Sequence, residues 1–88
     1  MGLRQTFQFD GDRADVVDFL RSLSTAANVD DRGDFFVFSN RSGDSFRFDC
    51  AIVPGGLLSD RAGDYFWFLG LFVEALTGRF GKVEIDDD

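Results

Sequence analysis

Phe35-Phe36-Val37-Phe38-Ser39, the connector Asn40-Arg41-Ser42-Gly43-Asp44 and Ser45-Phe46-Arg47-Phe48-Asp49-Cys50-Ala51-Ile52-Val53 form the stretch on which the fold turns. The later run alternates apolar and polar side chains, the period of a strand with one buried face, and the polar connector closes a hairpin. The earlier run is apolar on both faces. If Phe36 and Phe38 point at the core, Phe35 and Val37 point out, and the other register exposes the other pair.

Outward from this hairpin, Asp30-Asp31-Arg32-Gly33-Asp34 reads as a turn, preceded by a helix from about Asp12 to Asn28. Its inner stripe is Val16, Val17, Leu20, Leu23 and Ala27, while Asp15, Asp18, Ser22 and Thr25 face away. Asp12 with Asp15 gives a capping-box-like start, with Asp where Glu or Gln is usual. Leu3 to Phe9 alternates as a strand. On the other side, Pro54-Gly55-Gly56 ends the hairpin and a loop runs through Gly63. Tyr65 to Gly78 is then a helix of almost unbroken apolar or small residues. At about 100° per residue, Tyr65, Phe66, Leu69, Phe72, Val73 and Leu76 share the buried face, and Trp67, Leu71 and Glu74 fall opposite. Lys82 to Asp86 is a short final strand. The expected class is α+β in the order βαββαβ, a ferredoxin-like four-stranded antiparallel sheet with two helices on one face. In that arrangement the final strand and the Phe35–Ser39 strand are the sheet edges.

The 88 residues suffice for one domain, and they carry 16 Asp and Glu against 9 Lys and Arg, a net charge of -7. Such a surface repels phosphate backbones, so direct nucleic-acid binding is not expected; it favours a basic protein or nucleoprotein complex. The chain has no histidine. That removes the ordinary neutral-pH acid or base, Ser-His and Cys-His pairs and His-ligated metals, and no catalytic, cofactor or metal site is expected. Asp10, Asp12 and Asp15, like Asp30, Asp31 and Asp34, lack the calcium-loop pattern and read as solvated turn residues. The lone Cys50 alternates with Phe46, Phe48 and Ile52 and reads as core. With no apolar leader and no helix long enough to span a bilayer, the expectation is a cytoplasmic protein with no membrane partner. Met1-Gly2 with Thr6, Asn40-Arg41-Ser42 and Arg32-Gly33-Asp34 match short motifs but read as strand start, unmodified turn and plain turn.

An apolar outward helix face asks for a cover. The candidate partner-binding residues are therefore Trp67 as anchor, Phe68, Leu71 and Glu74 beside it, and Phe35 and Val37 on the exposed strand. Asp15 and Asp18 are the candidate steering charges. The stretch Tyr65 to Asp86, an aromatic helix feeding a short acidic strand, resembles the ends of some small bacterial immunity proteins. In size and acidity the whole chain resembles phage anti-CRISPR proteins. Both resemblances imply a non-enzymatic inhibitor that occludes a basic functional surface of an enzyme. The alternative expectation is a homodimeric ferredoxin-like regulatory or ligand-sensing module, paired through the sheet face or an edge strand.

Overall fold

The computed structural model describes residues 3–40 and 46–87. In chain order these form β1 (Leu3–Gln8), α1 (Arg13–Ser22), a 3-10 turn (Leu23–Thr25), β2 (Asn28–Asp31), β3 (Phe35–Ser39), β4 (Phe46–Val53), β5 (Gly56–Gly63), α2 (Phe66–Phe80) and β6 (Glu84–Asp87). The strands make one six-stranded sheet in the order β2-β3-β4-β5-β1-β6, every neighbouring pair antiparallel.

The expected four-stranded ferredoxin-like sheet is therefore overturned by two further strands. The helix expected to reach Asn28 ends at Ser22 and relaxes through a 3-10 turn, which frees Asn28–Asp31 to pair with β3. Only Val29 in that strand is apolar, so its pattern is indistinguishable from a polar turn. The other is the supposed loop after Pro54, which is the eight-residue β5, paired on both sides by β1 and β4. It escapes the period-two rule because Ser59 and Arg61 occupy its buried face and Leu58 its outer one. Phe35–Ser39 is consequently not an edge, because β2 covers it. The connector at 41–45, Met1-Gly2 and most of the Asn40-Arg41-Ser42 motif lie outside the described residues.

Gly56 sets the spacing of β5 against β1. Val53 pairs with Gly56 across the two-residue turn Pro54-Gly55, where Gly55 takes a φ of 83° that suits glycine. A Cβ on Gly56 would lie 1.8 Å from the Phe7 carbonyl oxygen, so no other residue fits there without moving backbone.

The core lies between one sheet face and the helices, and it is mostly phenylalanine. Phe7, Phe36, Phe38, Phe48, Phe68 and Phe72 are wholly buried. Phe68 of α2 packs 5.1 Å from Phe38 and 5.2 Å from Phe48, while Phe72 meets Phe7 at 5.5 Å and Phe19 of α1 at 5.7 Å. Edge-on and tilted rings of this kind add about 0.5–1.5 kcal/mol per pair beyond their buried area. On α1 the buried residues are Val16, Phe19 and Leu20, so Phe19 joins the expected stripe and Val17 is only half-buried. Asp12 is the N-cap residue, but its side chain makes no capping hydrogen bond.

Phe36 and Phe38 point at the helices, which leaves Phe35 and Val37 on the opposite face. Phe35, Ala51 and Leu58 form a half-buried apolar row there across β3, β4 and β5. The sheet edges are short and acidic, Asn28-Val29-Asp30-Asp31 on one side and Glu84-Ile85-Asp86-Asp87 on the other. Charges on an edge discourage pairing with another chain.

Candidate interaction surface

α2 is helical because packing overrides weak local preference. It holds seven aromatic or β-branched residues and the glycines Gly70 and Gly78, each glycine costing about 1 kcal/mol against alanine. Full burial of Phe68, Phe72 and Leu76, about 1.5–3 kcal/mol for each, more than offsets that. The helix ends at Gly81, whose φ of 82° is open to glycine and whose amide bonds the Thr77 carbonyl.

The inward stripe is rotated slightly from the one the sequence suggests. Phe68, placed in the sequence reading beside Trp67 on the partner side, is wholly buried, whereas Phe66, read as buried, is 71% exposed. The helix begins at Phe66, so its first side chain stands clear of the sheet and stacks on Tyr65 at 4.7 Å instead. Trp67 and Leu71 do face outward, at 49% and 38% exposure, and Glu74 is exposed beside them. The indole is not free of the fold, since Phe46 meets it edge-on at 5.3 Å.

Trp67, Gly70, Leu71, Glu74 and Ala75 line a shallow hollow of about 570 Å³. Gly70 is its most informative member. A Cβ added to Gly70 meets nothing within 4 Å, so no neighbour in this chain requires a glycine in the middle of the helix. A helix-weakening residue lining a hollow beside Trp67 and Leu71 suits close approach by something outside the chain.

The other candidate residues are scattered. Phe35 and Val37 lie half-buried on the open sheet face, away from the helices. Asp15 and Asp18 are exposed on α1, and Asp18 is held at 3.1 Å by Arg79 from the end of α2. The structure therefore brings together Trp67, Leu71 and Glu74, and separates them from Phe35 and Val37.

Ion pairs decide what the charge can do. Arg4, Arg13, Arg21, Arg32, Arg47, Arg79 and Lys82 are each paired with a carboxylate, Asp60, Asp34, Asp31, Asp30, Asp49, Asp18 and Glu84 respectively. Hydrogen bonds from the Gly33 amide and from Arg21 hold the Asp31 carboxyl below its ordinary range. Among the described residues Asp10, Asp12, Asp15, Asp64, Glu74, Asp86 and Asp87 have no such cation, so the uncompensated field is negative. Arg61 stands apart, buried on the helix-facing side of β5 with no carboxylate. Sequence alone gave no sign of that burial, because an arginine in a strand normally marks the solvent side.

Among the described residues no three Asp, Glu or Cys side chains are grouped as metal ligands would be, and no helix is long and apolar enough to cross a membrane. Burial, and after it the charge of Asp49, pushes the Cys50 thiol far above its usual pKa, which leaves it protonated and unreactive. No protein-family model and no curated protein matches this chain.

Proposed function

We propose that this is a non-enzymatic binding protein that takes a basic partner on the outward face of α2, around Phe66, Trp67 and Leu71. The observation that carries this reading is the hollow lined by Trp67, Gly70 and Leu71, an apolar patch on an acidic molecule whose described cations are almost all neutralised within the fold. Charge complementarity selects the partner: the excess carboxylates draw in a basic surface, and the aromatic side chains hold it. Occlusion is the corresponding mode of action. A small acidic chain seated on a basic, nucleic-acid-handling surface of an enzyme or complex blocks that surface, as inhibitors of the toxin-immunity or anti-CRISPR kind do. The setting that goes with this reading is cytoplasmic.

A second reading, a homodimer, draws support from the half-buried row of Phe35, Ala51 and Leu58 on the open sheet face. Sedimentation separates the two: a monomer supports the α2 reading, and a dimer dissociated by Leu58→Asp supports the second. The direct test of the first reading is Trp67→Ala. The expected result is loss of about 2 kcal/mol or more of partner affinity, roughly thirtyfold, with only about 1–2 kcal/mol of stability lost, because the indole is half-exposed. Undiminished binding by the folded variant removes α2 from the interface.

A further inference from the structure

Arg61 is 3% exposed, and its Nε and Nη1 have no hydrogen-bond acceptor. In a chain with 16 acidic residues this lack of a partner has a geometric cause. Along β5, Leu57, Ser59 and Arg61 face the helices, while Asp60 faces the other way and pairs with Arg4. Asp49, directly opposite Asp60 on β4, likewise lies on the outer face and binds Arg47. The neighbours of Arg61 on its own face include Phe48, across the ladder, and Tyr65. The Tyr65 ring covers the guanidinium, with Cζ 4.9 Å from the ring centroid. Stacking on a ring attracts a cation but supplies no acceptor for its N–H groups.

Tyr65 is also the residue at which α2 begins. The helix has no side-chain cap at that end and no acidic residue in its first turn. The amides of Phe66, Trp67 and Phe68 are thus left open at the positive end of a fifteen-residue helix. A buried cation and a helix N-terminus meet at one residue, and Asp64, the carboxylate next to that residue in sequence, is exposed and makes no ion pair with Arg61, so both are left without a bound anion. An oxyanion there relieves both at once, since guanidinium and helix amides both donate to such oxygens.

We propose that Arg61 and the first turn of α2 form a binding site for a small oxyanion, a carboxylate or a phosphate group, entered past the Tyr65 ring. The site adjoins the α2 docking surface, taking the backbone amides of Phe66 and Trp67 where that surface takes their side chains, but it rests on Arg61 and not on that reading. Its chemistry is the reverse of the rest of the molecule: the one described cation that the fold leaves unneutralised is kept for an acidic ligand.

The test compares melting of the wild type and Arg61→Met in chloride, phosphate and acetate at equal ionic strength. Methionine keeps the volume and the contact with Tyr65 but needs no acceptor. In chloride the variant should melt about 5 °C or more above the wild type; phosphate or acetate should raise the wild type by a similar amount and the variant not at all. A rise with phosphate alone identifies a phosphate group, a rise with acetate alone a carboxylate, and a rise with both an oxyanion of either kind. The NMR signal of the Arg61 Nε–H and the amides of Phe66 to Phe68 should move together with the same anion. A variant that melts below the wild type in chloride, or that fails to fold, shows that Arg61 holds the fold together unaided and overturns the proposal. So does an anion effect that is absent, or equal in the two proteins.

Discussion

Two glycines in this fold have opposite surroundings, and substitution separates them. Gly56 is demanded from within, since the Phe7 carbonyl oxygen occupies the place of any side chain. Gly56→Ala should destabilise the protein by about 1–3 kcal/mol or more, read as a lower denaturation midpoint with an unchanged slope. Gly70 has open space above it. Gly70→Ala should instead stabilise by about 1 kcal/mol, the ordinary helix preference for alanine. If a partner approaches the helix backbone at that point, the added methyl weakens binding while the fold gains, an opposition between stability and affinity that a purely structural glycine does not produce. Equal affinity of the two proteins would mean that the hollow is not where the partner sits.

The edge strands β2 and β6 both carry carboxylates, which oppose pairing with another chain. Replacing Glu84 and Asp86, both exposed on β6, by Thr should let the edge pair with another copy, and concentration-dependent association in sedimentation is the expected outcome. A variant that stays monomeric at all concentrations would show that shape, not charge, protects the edge. The same edges explain how much of the fold the sequence discloses. β1, β3, β4 and both helices are legible because large apolar residues mark their buried faces at the right period. β2 is hidden because an edge strand chosen for acidity carries almost no apolar signal, and β5 because its buried side chains include Ser59 and Arg61. The outward position of Trp67, Leu71 and Glu74 follows from helical spacing. The exchange of Phe66 for Phe68 does not, since it depends on where the helix starts relative to the end of the sheet. Arg61 was not legible at all, because a strand misread as a loop conceals which of its residues face inward.

As a whole the molecule is an acidic body whose described cations, buried Arg61 apart, are engaged locally, so its electrostatic reach comes from the carboxylates that remain. Association with a basic partner should slow steeply as salt rises while dissociation changes far less, and Asp15→Asn should slow it further without altering the fold. An association rate indifferent to salt would remove steering from the account. The pairing of β1 with β6 bears on a different property, the order in which the structure comes apart. Gln5 bonds Asp87 across 82 residues of sequence, so the loop closed by that contact is almost the entire chain, and little buried surface rewards it, all four residues of β6 being exposed. In hydrogen exchange β6 should be the first strand to open, through a partial unfolding that leaves β4 and β5 protected. The cooperative unit of this protein would then end at Phe80, and the last strand would act as a latch that lifts on its own, baring β1 as a fresh edge for as long as it is open.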